Sequence, residues 1–138
     1  MKYLLLLLLN ATVLLSADRT YECKLYSSIL ESIFPDKKVI YVWTDLPKGN
    51  PIYDIKKVIF VKEKNKADIL MIQNITKIKT DKIKFALSYR VFNKYLHDII
   101  GGFYWQKGRA NLIFIKSNLD KYHIKLPHNM QTFIEHKL

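Results

Sequence analysis

Between residues 19 and 34 apolar side chains return every three or four positions. Cys23, Tyr26, Leu30 and Ile33 mark one stripe, and Leu25, Ile29 and Phe34 widen it. That spacing predicts a helix with a single buried face, which leaves Ser27, Ser28, Glu31 and Ser32 toward water. Pro35 ends it, because proline offers no amide hydrogen and disfavours the helical region for the residue before it. The period then changes. Val39-Ile40-Tyr41-Val42-Trp43 is a continuous β-branched and aromatic run, too short for a helix and apolar on both sides, so it predicts a central strand covered on two faces. Residues 44–51 carry Asp45, Pro47, Gly49, Asn50 and Pro51, and the chain leaves the sheet there in an irregular loop.

Two further apolar runs, Val58-Ile59-Phe60-Val61 and Ile69-Leu70-Met71-Ile72, read as strands. The charged link between them is shorter than a usual crossover, so they are expected either to pair antiparallel or to join the sheet at different positions. Residues 75–82 are polar with isolated isoleucines and fit a short helix or a loop; Asn74-Ile75-Thr76, overlapping its start, is a glycosylation sequon, relevant in a eukaryotic host. A strand over residues 84–89 and two helical turns over 90–97 lead into residues 99–115, where two alternating apolar runs flank Lys107-Gly108. This is a β-hairpin signature. Ser117 is placed as the N-cap of a short helix over 118–123, and Met130, Phe133 and Ile134 as the packing residues of a terminal amphipathic segment. The predicted fold is α/β: one small domain with a mixed, mostly buried sheet flanked by helices.

The first 17 residues stand apart. Lys2, the run of leucines from Leu4 to Leu9 and the small-residue end Leu15-Ser16-Ala17 have the form of a secretory signal peptide, so the expected domain is residues 18–138 and the expected location periplasmic or secreted. Retention of the segment as an anchor is the competing expectation, although its apolar run is shorter than the roughly 20 residues a stable span needs. Cleavage after Ala17 removes one positive charge from a formal +11, and the domain stays strongly basic. That balance favours anionic partners in general. Twenty lysines dispersed among only three arginines read instead as a solvated surface, since phosphate and base recognition recruit the arginine fork. Nucleic acid is accordingly disfavoured as a partner. The single Cys23 cannot form an internal disulfide, and its place on the helix stripe predicts burial.

No residue pattern names a reaction. His97, His123, His128 and His136 have no nucleophile or zinc-site context, and His123 and His128, five apart, would reach one metal only if their link folds back, with no further ligand set to complete a site. No catalytic residue, metal or cofactor is assigned. Gly101-Gly102 lacks the spacing of a dinucleotide loop and fits a bend or close approach within a strand. The best candidate surface is the hairpin tip, where Trp105, Lys107 and Arg109 bring a flat aromatic and two cations to a reversal of the backbone. The competing reading makes Trp105 a core aromatic and the cations ordinary turn solvation. Tyr104, with Tyr89 and Arg90 near the end of the preceding strand, completes the set of expected partner anchors, on the rule that a few aromatic and arginine side chains dominate an interface.

The helix ending in Phe34-Pro35, the strand over 39–43, the runs VIFV, ADILMI and FALSY, then GGFYWQKGRANLIFI followed by NLDKYHIKLP together resemble the YfiR-like small periplasmic regulatory proteins. The resemblance spans nearly all of the expected domain. It implies a compact α/β domain without enzymatic activity that restrains a membrane signalling protein, such as a diguanylate cyclase, by binding its exported part. The chain carries one cysteine where redox-responsive members carry disulfides, which argues against a thiol-redox role. Two alternatives belong to other classes. One is a solute-binding half-domain taking a small anion near Trp43 and Tyr89, neutralised by Lys107 or Arg109; the other is a small secreted basic hydrolase using His97 or His123. A homodimer is a further expected assembly.

Overall fold

The computed structural model describes residues 19–137. The signal-peptide expectation for residues 1–17 lies outside them, and no helix among the described residues is long and apolar enough to cross a membrane. Helix α1 occupies residues 19–33 and buries Tyr26, Ile29, Leu30 and Ile33 as its spacing requires. Cys23 is half-buried at the margin of this face and free. Ser32, expected to face water, is buried. Its hydroxyl donates to the Ser28 carbonyl at 2.6 Å, the back-bond by which a helical serine satisfies itself without solvent.

Seven strands follow: β1 (Ile40–Thr44), β2 (Val58–Phe60), β3 (Ile69–Ile72), β4 (Ile83–Ala86), β5 (Gly101–Gln106), β6 (Arg109–Ile115) and β7 (Ile134–Glu135). They form one sheet in the order β2-β1-β3-β4-β5-β6-β7, parallel throughout except for the antiparallel β5–β6 hairpin. The β2–β3 link does not make a hairpin. It carries only the 3-10 turn Lys64–Lys66 and steps over β1, a span of about 10 Å that needs no packed helix. The β3–β4 link, residues 73–82, has no helix. It is tied down by the Tyr95 hydroxyl donating to Thr76, and by the Ser88 hydroxyl donating to Gln73.

Alternation along these strands divides the interior into two layers. Ile40, Val42, Ile69, Met71, Phe85, Phe103 and Phe114 face α1, while Leu70, Ile72, Ala86, Tyr104 and Ile115 face helix α2 (Tyr89–Lys94). Strand β3 is buried at every residue. Helix α3 (Lys116–Lys121) starts directly from β6, so its N-cap is Ile115 without a side-chain bond, and Ser117 lies within the helix instead of capping it. The terminal segment is a 3-10 stretch, His128–Phe133, that delivers β7 to the edge beside β6. Two residues of parallel pairing are too short to show in an amphipathic pattern.

Among the described residues Lys84 is the one buried lysine. Its ammonium donates to the carbonyls of Thr80 at 2.7 Å and Lys82 at 3.0 Å, and burial lowers its pKa against the opposing pull of Asp98. Gly101 and Gly102 root β5. A Cβ on Gly101 would stand 2.4 Å from the Ile113 carbonyl oxygen, and one on Gly102 would stand 2.7 Å from the Phe92 ring.

Two outcomes are expected. Gly101→Ala destabilises more than Gly102→Ala, because backbone cannot yield where a ring can. Urea unfolding should give about 1–3 kcal/mol for the latter and more for the former, with the open Gly49→Ala as a neutral control. Tyr26 is raised to about 12 by burial, with Glu22 adding to it. An unfolded tyrosine ionises near its ordinary value of 10, so stability falls as pH rises from 10 toward 12. Tyr26→Phe should flatten that loss, seen as a smaller difference in unfolding midpoint between pH 9 and pH 11.

Candidate partner-binding site

The parallel strands β1 to β5 all end on one side of the molecule, and the hairpin continues past that side to its tip. Lys107 and Gly108 form the two-residue loop with φ of 51° and 73°. Both sit in the left-handed region, as a type I′ turn between twisted strands requires. Register pairs Gln106 with Arg109, Trp105 with Ala110 and Tyr104 with Asn111.

Strand parity decides what each side chain can do. Trp105 is 57% exposed, and its ring meets Phe103 edge-on at 6.4 Å. Phe103 in turn meets Tyr26 of α1 edge-on at 5.9 Å. An aromatic line thus runs from the core out to the tip and fixes the indole while leaving much of it in water. Each such ring pair contributes roughly 0.5–1.5 kcal/mol beyond the area it buries. Tyr104 points the other way. It is 5% exposed, in contact with Phe92 and Tyr89 at 5.4 and 5.6 Å, and burial followed by the neighbouring Tyr89 raises its pKa. As an exposed partner anchor Tyr104 is therefore corrected: it is the floor on which Tyr89, 44% exposed, rests.

Arg109 shares the face of Gln106 and Tyr104, not that of Trp105. With Gln106, Lys107 and Asn111 it lines an open hollow of about 380 Å³. Among the described residues neither Lys107 nor Arg109 has an acidic partner. Arg90 is exposed in the first turn of α2, next to Tyr89. The expected set therefore divides over two faces of the hairpin. Trp105 stands on the α1 side, Tyr89 and Arg109 on the α2 side, and Lys107 at the fold between them. Only a partner that straddles the tip touches all of these.

The anion cleft expected near Trp43 and Tyr89 does not assemble. Trp43 is half-buried with the Lys64 ammonium 4.7 Å over its ring. Its cleft, about 410 Å³, is lined by Thr44, Lys48, Tyr53, Phe60, Val61 and Lys62; Tyr89, Lys107 and Arg109 are not among the lining residues. The strand order reverses between β1 and β3, the place where open α/β sheets hold ligands. There the Asp45 carboxylate accepts from the amides of Gln73 at 2.7 Å and Asn74 at 2.8 Å. Donors that would meet an anion at that point are already engaged. Asp68 performs the matching task at the other end of the same strand pair, accepting from the Tyr41 amide at 2.8 Å while Lys37 approaches its second oxygen. Neither aspartate is marked by the residue pattern beyond its place directly beside a strand end, because the amides each one bonds belong to or directly follow the neighbouring strand, 27 to 29 residues away.

His97, His123, His128 and His136 are all exposed, and no cluster of three metal-ligating side chains occurs among the described residues. Comparisons of the chain with protein-family models, with curated proteins and with solved structures each find no match.

Lys107 holds a conformation that costs an L-residue roughly 1–2 kcal/mol, and asparagine tolerates it better. Lys107→Asn is expected to raise stability by about 0.5–1 kcal/mol. Thermal unfolding checks it, and a lower midpoint would mean that the lysine side chain has a partner at the turn.

Proposed function

We propose that the chain is an exported, non-enzymatic regulatory module that binds the exported part of a membrane signalling protein with the tip of its β5–β6 hairpin. The observation that carries this reading is the half-exposed Trp105, held on the Phe103–Tyr26 line at a hairpin tip whose Lys107 and, on the other face, Arg109 have no acidic partner among the described residues. A large side chain that is both ordered and wet loses little freedom on association, and aromatic and arginine anchors dominate interfaces. The resemblance to YfiR-like proteins supplies the class of partner, with a membrane diguanylate cyclase as the first instance. The lysine-rich surface supports attraction to an acidic partner face through long-range steering.

The two-faced arrangement makes the reading specific. Trp105 and Arg109 meet different parts of the partner, so each alone should matter. Against the purified exported domain of a membrane diguanylate cyclase from the same host, Trp105→Ala and Arg109→Ala should each weaken binding roughly 30-fold, about 2 kcal/mol, with little change in thermal midpoint. Undiminished binding by both variants contradicts the site. A collapse of the midpoint in Trp105→Ala makes that ring a structural element instead.

A further inference from the structure

A second surface lies at the opposite edge of the sheet, and nothing in the hairpin reading uses it. Strand β2 is one edge of the sheet, the far one from β7. The bonds Ile40 N–H to Lys57 O and Val61 N–H to Val42 O turn the odd-numbered residues of β2 inward to β1. The amides and carbonyls of Val58 and Phe60 therefore point outward, and no partner meets them among the described residues. On the sheet face away from α1, Tyr41 and Ile59 are register partners at 41% and 49% exposure. They are uncovered because the β2–β3 crossover carries a single 3-10 turn where a helix would lie. Lys56 precedes the strand and Lys62 follows it. Both are exposed and neither pairs with an acid among the described residues.

We infer that this edge accepts an extended acidic peptide segment of a partner protein, added as an eighth strand beside β2. Outward N–H and C=O groups supply the ladder bonds that give such additions their affinity. The bare Tyr41 and Ile59 face receives apolar side chains from alternate positions of the added strand, and Lys56 and Lys62 meet carboxylates at its two ends. Charge selects this occupant over a second copy of the chain. In a symmetric β2–β2 pair with Val58 opposite Phe60, Lys56 of one copy falls opposite Lys62 of the other, and like charges directly opposed are destabilising. A lipid surface would leave the outward backbone groups unmet.

The probe is the capped pentapeptide acetyl-Glu-Ile-Thr-Val-Glu-amide, titrated into the 15N-labelled protein. The amide signals of Val58 and Phe60 should shift and their hydrogen exchange should slow. The double variant Lys56→Glu, Lys62→Glu, exposed at both positions and so expected to fold normally, should bind the probe about tenfold more weakly. The same peptide with lysine in place of both glutamates should leave the spectrum unchanged. Three results overturn the inference. One is an excess of the acidic peptide that leaves Val58 and Phe60 unmoved. Another is a dimer of the free protein that Ile59→Lys dissolves, which gives the edge to a second copy. The third is sedimentation with phosphatidylserine vesicles that the double lysine variant abolishes, which gives it to lipid.

Discussion

Two missing Cβ atoms govern how the hairpin joins the sheet. At Gly101 the backbone of β6 closes on β5 to a distance that no side chain permits, and at Gly102 the Phe92 ring settles onto the strand from α2. Strand β5 is thereby the last parallel strand of one unit and the first arm of the next. It pairs with β4 only through these two residues, Phe85 to Gly101 and Ala86 to Gly102. All that the tip can do follows from the firmness of that root.

Above the root, alternation sorts a run of aromatic residues to two destinations. Phe103 and Trp105 continue the layer under α1, and Tyr104 enters the layer under α2. Each face therefore has an aromatic line of its own, Tyr26–Phe103–Trp105 on one side and Phe92–Tyr104–Tyr89 on the other. The two lines brace the strand from both sides. Beyond the last covered position they leave one large side chain per face in contact with water, Trp105 and Tyr89. The aspartates at either end of the β1–β3 pair complete the scaffold, holding the central strands in register and filling the crevice where this strand order would otherwise admit a ligand.

Much of this was legible in the residue pattern. The stripe of α1 and its stop at Pro35, the strand at β1, the α/β class and the Lys107-Gly108 turn all rest on local physics, and local physics is what a sequence displays; the expected cover on both faces of β1 is met in full on the α1 side alone, since Tyr41 stands 41% exposed on the other. Strand order is not of that kind. Whether residues 58–61 and 69–72 pair with each other or flank β1 depends on which neighbour buries more surface, and parallel ladders leave no turn signature between partners. Parity at the tip was half legible. Alternation requires Tyr104 and Trp105 to part, but with aromatics at 103, 104 and 105 hydrophobicity alone does not say which parity ends in water. The polar positions misled where a local bond replaced solvent, as with Ser32, or where the helix began earlier than the apparent cap, as with Ser117. Lys84 was hidden for a similar reason: its charge marks it for the surface, and only the carbonyls of the folded 73–82 segment make burial tolerable.

In the proposed function, a firmly rooted hairpin meets the membrane signalling protein with its end. Hydrogen exchange of the complex with the exported domain of a membrane diguanylate cyclase tests this most directly. Slowed exchange confined to the tip, from Trp105 through Ala110, and to Tyr89 and Arg90 is the predicted footprint. A footprint on the outer surface of α1 or around α3, with the tip amides exchanging as fast as in the free protein, would contradict it.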